Sequence, residues 1–340
     1  MHGNKGGLME IDGEACRLRK VIKDGSNVGC GLGVALDKIK VSSAYCRTGH
    51  GRVGDRGSHS KSLFASKKLA RQRNGPSSSA HEGGVASGGA LRAWAGHRQP
   101  RTAEERVLYG KGYDLITAIK TELERRCPGV VSCSDIEILA TRDAVALAGG
   151  QRYAVRTGRR DRRRSSATDV RLPGAEDTAM QATSYFGGLG FDQLETVVLL
   201  GAHTVGVTHC SKIKKTRLYS YGGRTGATDP SLHLDDAQVY KKYVCPNTVT
   251  SDNNILYLDA QSSVAKLDNS YYKRLQGRHG VLSVDQNLYA NGTSTKWHVD
   301  RLANTNDFYW LFPKALVKLS EINVLTGTQG EVRRVCNKFN

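Results

Sequence analysis

The stretch Val197–Cys210, VVLLGAHTVGVTHC, constrains the fold of this chain more than any other. Just before it, Asp192 and Glu195 have the spacing of a capping box, in which each side chain bonds a backbone N–H of the first helical turn. Apolar residues at helical spacing follow, and Gly201 marks the helix end. The pattern predicts a short apolar helix that ends in a turn presenting the imidazole of His203.

Two interpretations of His203 follow from this stretch alone. An isolated histidine under a helix end is often a hydrogen-bonded structural residue. The neighbours Gly201, Ala202, Thr204 and Gly206 are small, however, and leave room for a flat cofactor beside the ring. Motifs elsewhere in the chain decide between the two.

Length and composition indicate a globular protein. The chain has 340 residues, of which 39% are hydrophobic and 24% charged, enough for one large core or two smaller ones. Its longest apolar runs, such as 197–202, are far shorter than the about 20 residues that a membrane-spanning helix needs. We therefore expect no membrane segment, and the first residues contain no apolar core typical of a signal peptide.

The formal net charge of +18 raises the question of a polyanionic partner. The densest basic run, GRRDRRR at residues 158–164, contains no aromatic side chains that could stack on bases. We expect no nucleic-acid partner, and attraction to acidic polysaccharide as the milder consequence of the charge.

Eight cysteines favour an oxidising compartment. They form no CxxC pair and no Cys/His pattern with zinc spacing, so a structural zinc site is not predicted. Cys133 and Cys336 suit the two ends of a long disulfide, which would stabilise the fold by about 4 to 5 kcal/mol in the chain-entropy model. The cysteine count and the missing signal peptide therefore disagree.

The sequence changes character near residue 105. Glycine and serine interrupt residues 1–104, and we predict a degenerate, disordered segment there. From residue 105 onward helical spacing dominates, which predicts an all-α domain over 105–340. Within it, Ser134 and Glu137 predict a second capping box, and Asp143 is expected to pair with an arginine.

Eight motifs occur in order between about Leu108 and Asn340. They are CPGVVSCSDIEILATRDAV, the GRRD turn, LPG, VVLLGAHTVGVTHC, RLYSYGG with TDPSL, KLDNSYYKRL, VLSVDQNLY and LTGTQGEVRRVC. Together they resemble the secretory plant (class III) haem peroxidases. The resemblance implies two helical halves around haem b, and oxidation of phenolic donors by hydrogen peroxide.

The resemblance implies that His203 is the axial ligand of the haem iron and that Asp285 accepts its other ring N–H. The alternative for Asp285 is an acid in a surface turn. Such a carboxylate fixes the tautomer and makes the imidazole a stronger donor to iron. Pro173 matches the position that lines the entrance for reducing substrates; the alternative is a simple turn proline.

The resemblance also implies a calcium site of hard oxygen ligands at Thr204, Asp259, Ser262 and Asp268. The two aspartates are one residue further apart than in many family members, which affects Ser262 most. Scattered solvated polar residues are the alternative.

The resemblance also has implications for the disulfides and for the compartment of the protein. The implied disulfides are Cys133–Cys336, Cys210–Cys245 and Cys127 with Cys16. The resemblance also implies a secreted or vacuolar monomer that responds to oxidative stress.

One motif of the family is missing. An arginine followed by Phe-His-Asp-Cys is expected between about residues 40 and 75, yet His-Asp-Cys occurs nowhere in the chain. The distal histidine contributes acid–base catalysis of about 10²- to 10⁴-fold, and the distal arginine about 10²- to 10³-fold. We therefore expect weak activity, with a haem-binding pseudoenzyme, a polyanion-binding relative or a partly unfolded, inactive product as alternatives. We hypothesise that residues 1–104 come from a mispredicted or frame-shifted gene model, which transcript sequencing tests.

Overall fold

The computed structural model describes residues 17–20, 41–45, 103–165, 172–263 and 265–340. The helices are α1 (Ala103–Arg126), α2 (Cys133–Leu147), α3 (Ala179–Gly187), α4 (Gln193–Leu200), α5 (Leu234–Val239), α6 (Ser270–Gln276), α7 (Ser283–Asn287), α8 (Lys296–Asn304) and α9 (Asp307–Ser320). The structure also contains two pairs of antiparallel strands. β1 (Arg17–Lys20) pairs with β2 (Val41–Tyr45), and β3 (Val207–His209) pairs with β4 (Ile255–Tyr257). The mainly helical fold that the sequence predicts is confirmed.

Helix α4 lies at the centre of the larger hydrophobic core. Its predicted capping box is present, because Asp192 Oδ1 accepts from Glu195 N at 2.7 Å and Glu195 Oε2 accepts from Asp192 N at 2.9 Å. The helix contacts α3, α8 and α9, and the run Val197–Leu200 is buried on every side. The turn after α4 is therefore held by core packing on three sides.

A smaller core joins α1, α2 and the carboxy-terminal segment. The disulfide Cys133–Cys336 lies in it, and Cys210–Cys245 closes a second loop in the larger core. Both pairs agree with the sequence prediction. Cys127 is also disulfide-bonded. Its predicted partner, Cys16, lies outside the described residues, so that pairing stays a prediction.

The start of α2 differs from the sequence prediction. Ser132, not Ser134, is the N-cap, with its side chain accepting from Asp135 N at 3.1 Å. Ser134 instead donates its hydroxyl to the buried carboxylate of Asp161 at 3.0 Å. Because Asp161 belongs to the distant GRRD turn, local spacing could not show this competition. The predicted pairing of Asp143 is confirmed, with Arg142 Nη2 3.0 Å from its Oδ1.

Glu137, expected in that capping box, is buried instead. Its Oε1 has no hydrogen-bond partner in the described part of the chain. Burial raises the pKa of Glu137 well above its usual value of 4.5; the charge of Asp161 adds to this shift and that of Arg333 opposes it. Folding therefore favours the protonated form of Glu137 over the carboxylate that the unfolded chain carries above about pH 4.5.

We expect Glu137→Gln to stabilise the protein increasingly as the pH rises above 4.5. A carboxyl whose pKa is raised by folding stabilises the native state at low pH and loses that contribution as the pH rises toward the folded pKa. The gain should grow by up to about 1.4 kcal/mol per pH unit. Denaturant unfolding of both chains between pH 4 and 8 measures it, and parallel stability curves would contradict the burial of an ionisable Glu137.

Candidate functional site

His203 lies in a 3₁₀ turn, Gly201–Thr204, directly after α4. The turn approaches α6 and α9 so closely that only glycine fits at position 201. A Cβ there would lie 2.0 Å from Tyr272 Oη and 2.8 Å from the ring of Phe308. Close packing of Gly201 thus sets the position from which the imidazole of His203 projects.

The imidazole contacts a buried carboxylate from a distant part of the chain. His203 Nδ1 lies 2.8 Å from Oδ1 of Asp285, which is in the first turn of α7. The Asp285 side chain is 1% exposed and the His203 side chain 12% exposed. A carboxylate oxygen at this distance from Nδ1 accepts from a ring N–H, which in a neutral imidazole leaves the lone pair on Nε2. The structure thus brings Asp285 into contact with His203, while the role of this pair at a haem iron stays a prediction.

A second donor shares the same carboxylate oxygen. Tyr271 Oη donates to Asp285 Oδ1 at 2.8 Å, and the Tyr271 ring meets the His203 ring edge to face with centroids 6.3 Å apart. Burial, with the nearby charge of Asp285, raises the pKa of Tyr271 well above its usual value, so the hydroxyl remains a donor. Sequence analysis missed this residue, although it lies in the KLDNSYYKRL motif.

A cluster of hydroxyl and carboxylate oxygens lies beside His203 and includes Thr204 of the same turn. Thr204 Oγ1 donates to Asp259 Oδ2 at 2.7 Å and lies 3.4 Å from Asp268 Oδ1. Strand pairing explains the meeting, because β3 follows the turn and β4 ends just before Asp259. Desolvation raises the pKa of Asp259, while hydrogen bonds from Ser270 and Thr204 oppose that shift. Arg274 Nε lies 3.9 Å from Asp259 Oδ1.

The structure places Ser263, rather than Ser262, in this cluster. Ser263 Oγ donates to Asp268 Oδ2 at 2.6 Å, whereas Ser262 is exposed. Ser270 Oγ also bonds both aspartates, at 2.5 Å from Asp259 Oδ2.

The cluster's donor set is that of a hard cation. Across the described residues, no three His, Cys, Asp or Glu side chains are arranged to hold a metal ion. Calcium differs from zinc in that hydroxyl and carbonyl oxygens complete its coordination around a few carboxylates. Two carboxylates with converging hydroxyls therefore fit a hard cation such as Ca²⁺.

The loop that contains Pro173 is hydrogen-bonded to α7, the helix that contains Asp285. Ala175 O accepts from Val284 N at 3.1 Å, and Asn287 Nδ2 donates to Asp177 O at 3.2 Å. Pro173 itself is half-buried. The structure thus brings the loop against α7, while the role of Pro173 in substrate entry stays a prediction.

None of the helices in the described ranges has the length and apolar character needed to cross a membrane.

The sequence is similar to that of known peroxidases over about two thirds of its length. The model of the peroxidase family matches residues 77–305, so the match begins before the predicted boundary at residue 104. The chain is 46% identical over 230 residues to Peroxidase 57 of Arabidopsis thaliana, covering 67% of this chain and 70% of that protein. It is 40% identical over 248 residues to Probable peroxidase 61 of the same plant, covering 72% of each chain. With Peroxidase 3 the identity is 38% over 234 residues, covering 68% and 70%.

Proposed function

Because this chain belongs to the peroxidase family and is therefore an oxidoreductase, we propose that it binds haem b through His203 and oxidises phenolic donors with hydrogen peroxide. The 2.8 Å contact between His203 Nδ1 and Asp285 Oδ1 carries this proposal. A histidine ligand of a metal commonly donates its other N–H to a carboxylate, which fixes the tautomer and raises its basicity.

The surroundings of His203 fit a flat cofactor. Gly201 and Ala202 add little bulk beside the ring, and the imidazole is partly exposed while its supporting carboxylate is fully buried. When bound, haem supplies the reduction of peroxide and the one-electron oxidation of donors. The chain's own contribution on this face is to direct the Nδ1–H of His203 to Asp285 Oδ1 and to present Nε2.

We propose that turnover is slow. The His-Asp-Cys motif that would hold and return the peroxide proton is absent from the sequence. Loss of that acid–base group alone removes about 10²- to 10⁴-fold of rate. A haem-binding protein without peroxidase turnover is the second candidate function, which the same absence favours.

Haemin titration of the recombinant full chain tests the proposal. A Soret band together with peroxide-dependent oxidation of a phenol such as guaiacol supports the enzyme. A Soret band without oxidation supports the pseudoenzyme. Absence of a saturable Soret band overturns both.

We also propose that the cluster of Thr204, Asp259, Ser263, Ser270 and Asp268 binds Ca²⁺. Calcium would offset the repulsion between two carboxylates that the hydroxyl groups of Thr204 and Ser270 bridge. Since Thr204 follows His203 directly, the ion would also stabilise the turn that holds the histidine.

We expect calcium to raise the melting temperature of the chain. At a hundredfold excess over its Kd, a ligand of the native state adds about 2.7 kcal/mol to the free energy of unfolding. Asp268→Asn should abolish the calcium-dependent shift and Ser263→Ala should reduce it, whereas Ser262→Ala serves as the exposed control. Thermal unfolding with calcium and with EGTA measures the shift; equal shifts in all three variants would contradict the site.

The remaining proposals concern the compartment of the protein and its polyanionic partners. We propose an extracellular or vacuolar monomer, since disulfides persist in oxidising compartments. Attraction to acidic polysaccharide depends chiefly on residues 1–102, which hold 18 of the 50 Lys and Arg residues but only 7 of the 32 Asp and Glu residues. That distribution puts more than half of the net charge outside the helical domain.

A further inference from the structure

We propose that Tyr271 is a positioning residue that limits how strongly Asp285 draws on the His203 ring proton. The inference deepens the proposed function and rests on it, because His203 must be the iron ligand for the effect to reach iron. The sequence motifs name only His203 as a partner of the Asp285 carboxylate, and the structure adds the hydroxyl of Tyr271.

Both donors meet one oxygen atom. His203 Nδ1 and Tyr271 Oη each lie 2.8 Å from Asp285 Oδ1. Tyr271 and Asp285 are each 1% exposed, so water does not screen the three groups from one another. An acceptor oxygen that already receives one charge-assisted hydrogen bond offers less electron density to a second donor.

The consequence for the imidazole has a definite sign. A weaker pull on Nδ1–H leaves the ring less anionic, and a less anionic ring donates less charge through Nε2. Weaker donation stabilises ferric iron less relative to ferrous iron. The hydroxyl of Tyr271 should therefore raise the ferric/ferrous reduction potential. Removing that hydroxyl should strengthen the His203–Asp285 bond and lower the potential.

The chain contains a matched control one residue away. Tyr272 is 0% exposed, and its ring meets the Tyr271 ring edge to face with centroids 5.0 Å apart. Its hydroxyl donates to Val197 O at 3.2 Å instead of to Asp285. Tyr272→Phe keeps the ring, whose Cζ lies 2.8 Å from the position of a Cβ on Gly201, so the packing that positions His203 is retained. It removes a phenol hydroxyl of equal burial from the same cluster without changing the donors on Asp285 Oδ1.

The test compares haem-loaded full-length wild type, Tyr271→Phe and Tyr272→Phe by spectroelectrochemical titration. At a fixed potential near the midpoint, Tyr271→Phe should lower the ratio of ferrous to ferric protein about tenfold, a shift of about 59 mV for one electron. The Fe–His stretching band of the ferrous form should move to higher frequency in the same variant. Tyr272→Phe should change neither quantity.

Equal shifts in both variants would overturn the proposal, because loss of any buried hydroxyl would then explain them. Unchanged potentials in both, or loss of the Soret band in Tyr271→Phe alone, would also overturn it. A second cycle uses Asp285→Asn, in which Tyr271→Phe should have no further effect on the potential; a persisting shift assigns Tyr271 a purely structural role. If wild type itself forms no Soret band, the proposed function has failed as well, which separates the two failures.

Discussion

Replacing His203 with alanine is expected to abolish saturable haem binding. The substitution removes the Nε2 lone pair and leaves the buried carboxylate of Asp285 without one of its two donors on Oδ1. Loss of an outer partner of a metal ligand typically reduces affinity about 10- to 100-fold, and loss of the ligand itself should exceed that. Haemin titration followed at the Soret band measures the change.

The matched control for this variant lies in the same motif. His209 is 8% exposed and its Nδ1 contacts Asn253 O at 3.1 Å, so it is a buried, hydrogen-bonded histidine remote from Asp285 in its contacts. His209→Ala should keep the Soret band. Equal haem affinity in wild type and His203→Ala would contradict the ligand assignment, and loss in both variants would indicate a folding defect.

The second large effect concerns the disulfide between Cys133 and Cys336. It closes a loop of 203 residues, for which the chain-entropy model gives about 5 kcal/mol of stabilisation. That is a large part of the about 5 to 15 kcal/mol by which native proteins are stable. The double substitution Cys133→Ala with Cys336→Ala should therefore leave much of the chain unfolded at 37 °C.

The comparison variant removes the shorter disulfide. Cys210–Cys245 spans 35 residues, and the same model gives about 4 kcal/mol for it. Denaturant unfolding of both double variants should rank the long disulfide as the greater loss. Asp161 adds to the expected loss for the long disulfide, because its Oδ2 accepts from Cys133 N at 3.1 Å and from Arg333 N at 3.0 Å. These two hydrogen bonds connect the same two segments as the disulfide. A smaller loss for the long disulfide would contradict the prediction.

Local sequence signals predicted the elements best. The capping box of α4 and the turn at His203 depend on neighbouring residues, and both lie where the pattern placed them. The approach of Asp285, 82 residues away, followed only from the family resemblance. Spacing within one segment holds no information about which distant segment will contact it.

Tertiary competition explains where the sequence failed. Ser134 and Glu137 have the spacing of a capping box, but Asp161 binds the serine from 27 residues away and packing buries the glutamate. Ser262 and Ser263 are adjacent in the sequence, as are Tyr271 and Tyr272, so local spacing does not show which member of each pair contacts a distant carboxylate. Only the fold shows that Ser263 contacts the aspartate cluster and that Tyr271 contacts Asp285.

Helix α8 shows another limit of pattern analysis. It follows the turn-forming sequence Asn291-Gly292-Thr293 and is mostly polar, and its apolar residues are too few for the helix to stand out from the sequence. Its buried residues, Val299 and Leu302 among them, form a narrow stripe that packs on α6. Tertiary contact, more than propensity, stabilises a helix of this kind.

Resonance Raman spectroscopy of the ferrous, haem-loaded chain tests most closely whether His203 holds the iron. Wild type and His209→Ala should both show an Fe–His stretching band, and His203→Ala should lack it even when haem is supplied in excess. The same band in His203→Ala would show that another residue holds the iron and would contradict the site described above.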